Sequence, residues 1–278
     1  MPAPAEHVLR LLEAHAFYAD RVDWTAAATG VAEALARGLS LDEALKPVFA
    51  ALGDRHSSLR QAEGGTHTAA SALPDGHQGR TGYLRLPGFT GDHRSSAAKR
   101  YVKAAWALLR PPCPRGWVLD LRGNRGGNLF PMLAAAGPLL GADARLAYLK
   151  RGGNRLTYRY ARGTVYADDR RLLSVRRPPS DLPDAPLAVL TDARTASSAE
   201  GVLVACLGRA AGVRVFGAPT AGVPTGNVSH LLPDGSTLAI TTSLATDRLG
   251  RSYDGPLPPD DPGGTEATAA AWLEANLT

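Results

Sequence analysis

Two segments of the chain share one plan, and that plan constrains the fold more than any other feature. The apolar run GWVLDLR (116–122) breaks into the loop GNRGG and resumes as NLFPMLAAAGPLL, whose apolar residues follow a helical period. The run PLAVLTD (186–192) breaks into ARTAS, resumes as SAEGVLVACLGRA, and is followed by the short apolar run VRVFG. Each reads as a buried strand, a loop of small residues and a helix. Upstream, TGYLRLPGF (81–89) reads as a strand and SSAAKRYVKAAWALLR (95–110) as a helix capped by Ser95 or Ser96. Strands alternating with helices predict an α/β core with a parallel sheet. In such a core both small-residue loops emerge at the carboxyl ends of their strands, where ligands and chemistry gather.

The flanking regions read differently. Residues 1–60 are predicted helical, with SLDEALKPVFAALG capped by Ser40 and stopped at Gly53, so that Asp54, Arg55 and His56 follow a helix exit. Residues 61–80 are polar and rich in Gly and Ala, and predict a mobile connection. The core then occupies 81–278, with a basic hairpin inserted at about 145–177. That insertion carries ten Arg or Lys against two acids, Asp168 and Asp169, and holds much of the excess behind the net charge of +5. Its alternating pattern is that of a solvated strand face or of a docking strip for carboxylates, not of a basic helix. No nucleic-acid partner is expected from it. Two cysteines, Cys113 and Cys206, imply neither a disulfide framework nor a zinc site. The first twenty residues carry charges within their apolar stretch and lack the form of an export signal, and no run of about 18 uncharged apolar residues occurs. A cytoplasmic protein without a membrane partner is the expectation.

Candidate chemistry centres on the loop ARTAS. A serine opening a helix is ordinarily an N-cap, but Ser197 has a further use. The N–H of Ser198 would leave the helix start where negative charge is favoured, and could receive an oxyanion formed on a carbonyl attacked by Ser197. The glycine pair Gly126 and Gly127 offers a second donor, since glycine permits close approach of exposed backbone N–H groups. No Gly-Lys-Ser/Thr follows, so the loop is not a Walker-type phosphate cradle, and no G-x-S-x-G elbow is present. A serine nucleophile needs a base. The four lysines, Lys46, Lys99, Lys103 and Lys150, all precede Ser197. Among seven histidines, His56 and His230 have the most rigid predicted settings, and position alone does not choose between them.

Taken together, LGDRHSSL, GYLRLPGF, VLDLRGNRGGN, AVLTDARTASSAEG, FGAPTAG and the later LPPD resemble the C-terminal-processing (tail-specific) serine peptidases. The resemblance runs through most of the chain. It implies a crotonase/ClpP-like spiral of ββα units, Ser197 as nucleophile, and the amides of Ser198 and Gly126 or Gly127 as oxyanion donors. Asn128 and Leu129 would line the substrate groove. The lysine that serves as base in much of the family falls at Gly222, an aspartate often found after the serine falls at Gly208, and the connection between His56 and Gly82 is too short for a PDZ domain. A branch resembling nisin-resistance proteins and the tricorn core peptidase uses histidine from the end of the N-terminal helices, which implies His56. Asp54, Ser57 and Asp254 are its candidate orienting groups. The activity implied is cofactor-free and metal-free hydrolysis of peptide bonds near the C-terminus of a peptide or protein, through a Ser-His dyad and an acyl-enzyme. A catalytically inactive binding module for a peptide or apolar ligand on the same scaffold is the competing reading.

Overall fold

The computed structural model describes residues 3–61, 71–110, 112, 114, 116–141, 143–179, 182 and 185–277. In chain order the elements are α1 (Ala3–His15), α2 (Trp24–Ala36), α3 (Leu41–Leu52), β1 (Ser58–Arg60), β2 (Asp75–Gln78), β3 (Gly82–Arg85), α4 (Ser96–Leu108), β4 (Trp117–Asp120) and α5 (Leu129–Ala136). There follow β5 (Arg145–Lys150), β6 (Arg155–Ala161), β7 (Thr164–Ala167), β8 (Arg170–Ser174), β9 (Leu187–Thr191) and α6 (Ser198–Cys206). The chain closes with β10 (Val213–Gly217), β11 (Thr225–Leu231), β12 (Thr237–Thr246), β13 (Asp261–Pro262) and α7 (Glu266–Asn276). This is a mixed α/β fold. No helix among the described residues is long and apolar enough to cross a membrane.

The elements form two compact units. One holds the N-terminal helices and β1 together with 149–154 and 225–244, so the helical region is not free-standing but shares a core with a distant hairpin. In it β12 takes β1 and β11 as antiparallel partners. Leu12, Leu45, Val48 and Leu52 from the helices pack with Leu238 and Ile240 of β12. The helix ends follow the local chemistry. Ser40 and Glu43 cap α3 reciprocally, and Gly53 closes it in the left-handed region at φ 71°. His56 is delivered three residues later.

The second unit contains the parallel sheet, in the order β13-β10-β9-β4-β3-β2. β3, β4, β9, β10 and β13 run parallel, and β2 closes the edge antiparallel to β3. β2 corrects one expectation. Residues 75–78 of the supposed connection pair with Gly82–Arg85, because the three-residue turn Gly79–Thr81 between them folds the chain back. The remainder of that connection, 62–70, lies outside the described residues. The basic insertion forms β5 to β8 as neighbouring strands, with β6, β7 and β8 antiparallel. β4 and β9 are buried throughout, as their unbroken apolar runs require, and pair with each other. That adjacency brings the loops following them together at one sheet edge.

Candidate active site

The loop after β9 is fixed by its own polar side chains. Asp192 accepts the N–H of Arg194 (2.9 Å) and that of Gly123 in the neighbouring loop (3.0 Å). Thr195, fully buried, donates its hydroxyl to the Leu121 carbonyl (2.9 Å). Ala196 donates its N–H to the Asn124 carbonyl (3.0 Å). Ser197 then stands at φ 56°, ψ −118°, a backbone conformation that non-glycine residues adopt at a cost of about 1–3 kcal/mol. α6 begins at the next residue, and the Ser197 N–H donates to Glu200 Oε2 (2.8 Å).

The glycine loop packs directly on this serine. Gly126 lies at φ 88°, and a Cβ there would stand 2.9 Å from Ser197 Cβ, 2.9 Å from the Ser198 nitrogen and 2.7 Å from the Ala196 carbonyl oxygen. A Cβ at Gly127 (φ 118°) would meet the Phe89 carbonyl oxygen at 2.1 Å. Both positions therefore exclude any side chain. The two amides differ, however. The Gly126 N–H donates to Asn124 Oδ1 (2.8 Å), whereas no acceptor among the described residues takes that of Gly127. Ser198 Oγ donates to the Gly127 carbonyl (2.6 Å), a further link between the two loops. Asn128 and Leu129, expected at a groove, are committed to the fold. Asn128 caps α5 by accepting the Phe130 N–H (3.1 Å) and donates to the Gly91 carbonyl (3.0 Å). Leu129 is 8% exposed within the core.

Glu200 is fully buried and accepts four hydrogen bonds. Besides Ser197, Thr220 Oγ1 donates to it at 2.5 Å, the Gly222 N–H at 2.9 Å and the Val223 N–H at 3.0 Å. Burial nevertheless raises its carboxyl above the ordinary range against these donors. Position 222 is bare for a steric reason. A Cβ there would fall 2.6–2.7 Å from the Pro256 ring and nitrogen, at φ 84°, so a lysine has no room.

In the helical unit, His56 is half-buried and its Nδ1 lies 2.7 Å from Thr225 Oγ1 at the start of β11. Its backbone carbonyl accepts from Asn227 Nδ2 (3.3 Å). Burial chiefly, with Arg60 adding to it and Asp54 opposing, holds the ring below its ordinary value. The proposed orienting groups do other work. Asp54 accepts the backbone N–H groups of His56 (2.9 Å) and Ser57 (2.6 Å), the Ser57 hydroxyl (2.8 Å) and the Thr241 hydroxyl (3.0 Å). It shapes the turn that carries the ring without touching the ring. Ser57 Oγ also accepts the Thr241 N–H (2.9 Å). Asp254 is exposed in the sheet-bearing unit. His230, the other histidine left open by position, stacks on His15 with centroids 5.5 Å apart.

Sequence reasoning missed Asn124, Thr195, Thr220 and Thr225. Each lies one to three residues from a residue it did identify, but a side chain directed at a group distant in sequence, a backbone carbonyl for Asn124 and Thr195, a side chain for Thr220 and Thr225, leaves no periodic or spacing signal.

The pattern described as Peptidase family S41 matches residues 80–261. A nisin-resistance protein from Lactococcus lactis subsp. lactis is 26% identical over 295 residues, covering 99% of this chain and 89% of that one. Among solved structures, a lipoprotein from Streptococcus agalactiae superposes with a TM-score of 0.78 at 23% identity, covering 100% of this chain and 98% of that one. A photosystem II D1 C-terminal processing protease gives 0.59 at 13% identity, covering 94% and 93%. The two structural likenesses concern fold alone.

Proposed function

The chain belongs to peptidase family S41, whose members are serine hydrolases, and on that premise we propose that Ser197 is the acylated nucleophile and His56 its general base. The observation that carries the reading is the packing of Gly126 against Ser197 and Ser198, which sets the unclaimed Gly127 N–H next to a serine held in a strained conformation at a helix start. A serine serving only as a cap needs neither feature.

In the proposed reaction Ser197 Oγ attacks the peptide carbonyl carbon while His56 Nε2 takes the hydroxyl proton. The oxyanion accepts N–H groups from Ser198 and Gly127, a donor pair of which each member contributes about 3 kcal/mol to the transition state. Gly126 is left out of the pair because its N–H is held by Asn124. The tetrahedral intermediate expels the amine, which leaves with the proton from His56. Water then attacks the acyl-enzyme with His56 again as base, releasing the acid and the free serine. For Nε2 to act so, Nδ1 must carry the other proton and donate it to Thr225 Oγ1, which the 2.7 Å contact supports. Depression of the ring's pKa by burial keeps it neutral and able to accept. With lysine excluded at 222, the Ser-His dyad is the arrangement this chain's residues favour. Cleavage near a substrate C-terminus and a spiral core of the crotonase/ClpP kind belong to the same proposal, by likeness to the family.

Fluorophosphonate labelling tests it. The wild type should label at Ser197, Ser197→Ala should not label, and His56→Ala should label at least about 100-fold more slowly, the lower range for loss of a general base. Equal labelling of wild type and Ser197→Ala would leave the scaffold as a binding module.

A further inference from the structure

The basic insertion does not present one cationic face. Arg145 pairs with Asp143 (3.0 Å), Arg151 donates to the carbonyls of Glu13 and Ala14 that end α1, and Arg159 lies 4.5 Å over the Tyr166 ring. Arg176 and Arg177 are different. They meet Lys103 and Arg110, from α4 and the residues after it, around a cavity of about 410 Å³ with Trp106 at its base. No Asp or Glu among the described residues lines the cavity, and none is in ion-pair contact with any of the four cations.

The pocket is constructed rather than incidental. Arg110 Nη2 donates to the Arg177 carbonyl (3.0 Å), tying the two segments together. Arg177 is one of four non-glycine residues at positive φ among the described residues, at 62°, so its backbone is held where an arginine gains nothing locally. Trp106 is 1% exposed and its indole N–H is already given to the Ala134 carbonyl (3.0 Å), which makes it a rigid apolar floor and not a donor. Cations near the C-terminus of α4 suit the helix dipole, which accounts for Arg110 but not for the two arginines brought to it from the insertion. Four like charges within a Debye length repel one another, and an anion of matching charge relieves that repulsion.

We propose that this pocket binds a compact polyanion bearing several phosphate groups. A single carboxylate would leave three of four charges unmatched, whereas two or three linked phosphates offer oxygens to each. Arginine forks engage phosphate oxygens in pairs. The site is separate from the peptidase centre. None of its lining residues belongs to the loops that carry Gly126 and Ser197, and along α4 it begins at Lys103, about 10 Å from the helix start. The pocket therefore anchors or senses a ligand rather than taking part in bond cleavage.

The test uses inorganic tripolyphosphate, with calorimetry and thermal unfolding of the whole chain in 50 mM salt. Wild type should bind it, and its unfolding midpoint should rise with ligand concentration. Arg176→Ala/Arg177→Asn should weaken binding at least about tenfold, the factor expected for loss of charge-assisted contacts. Asparagine tolerates positive φ, and Lys103→Gln/Arg176→Ala provides a second pair should the first fold poorly. Arg37→Ala/Arg94→Ala, which removes the same charge from exposed sites elsewhere, should bind as wild type does. A parallel arm presents vesicles containing a bisphosphorylated inositol lipid. Capture reversed by tripolyphosphate identifies a headgroup as the source, and tripolyphosphate binding without capture identifies a free ligand. The proposal is overturned if wild type does not bind tripolyphosphate, if the control pair loses as much affinity as the pocket variants, or if a hexaglutamate peptide binds more tightly.

Discussion

Replacing Glu200 by glutamine tests whether the buried carboxylate, and not the serine alone, holds the reacting loop. Each carboxylate oxygen now accepts two donors: Thr220 and Gly222 on one, Ser197 and Val223 on the other. An amide keeps one oxygen and turns an NH₂ toward the other two donors. Directed at Oε2's partners, that NH₂ faces two backbone N–H groups. Directed at Oε1's, it faces the Gly222 N–H and a hydroxyl that already accepts from Leu257 (2.9 Å). At least two donors lose their acceptor either way, at about 1–3 kcal/mol each. Against this, glutamine removes a buried charge, whose desolvation is the cause of the raised carboxyl pKa and amounts to several kcal/mol in general. The net expectation is a loss of about 1–3 kcal/mol, a fall of about 3–9 °C in unfolding midpoint at roughly 3 °C per kcal/mol. Labelling of Ser197 should fall about tenfold or more, because about 1.4 kcal/mol of lost positioning corresponds to a factor of ten. Scanning calorimetry and timed fluorophosphonate labelling read the two effects. A midpoint within about 1 °C of wild type, with unchanged labelling, would refute the role given to this carboxylate.

Three further outcomes are expected. Gly126→Ala must place a methyl group against backbone atoms 2.7–2.9 Å away at φ 88°; the left-handed conformation and overpacking together predict about 2–5 kcal/mol of lost stability by denaturant titration, with labelling abolished. Thr225→Val removes the partner of His56 Nδ1 while keeping shape; the labelling rate should fall about tenfold, the kinetic equivalent of one hydrogen bond, with an unfolding midpoint near that of wild type. For pH, His56 and His230 both sit below their ordinary value of 6.5, so the unfolded chain binds more protons than the folded one just below that value. Their contribution to stability is therefore complete above 6.5 and declines as pH falls through the folded-state values. Labelling should follow an acid limb below 6.5, and a limb above it would contradict a buried His56 as base.

The local grammar of this chain was open to reading without coordinates. Ser40, Glu43 and Gly53 delimit α3 by capping chemistry that acts within four residues. The unbroken apolar runs of β4 and β9 could only be buried strands, and the small-residue loops after them marked the edge where Ser197 and the glycine pair lie. The resemblance of those motifs reached the family that the match to residues 80–261 shows. β2 was missed because Asp-Gly-His-Gln has no apolar alternation; its strand character comes from the backbone edge of β3 that it pairs with.

Sequence by itself thus determined the elements, their alternation and the residue types available at the reactive edge. Tertiary structure alone decided which of them are free to act. Gly126 and Gly127 are equal as letters, but Asn124 takes the N–H of Gly126, whereas no acceptor among the described residues takes that of Gly127. Gly222 is bare because Pro256, distant in sequence, occupies the space a side chain would need. Asp54 looked like a partner for the His56 ring, yet the ring's contact is Thr225, about 170 residues away, and the carboxylate is taken by nearer backbone donors. Such assignments depend on distances between loops, which follow from how strands pair and cores fill, and a spacing along the chain carries no record of them.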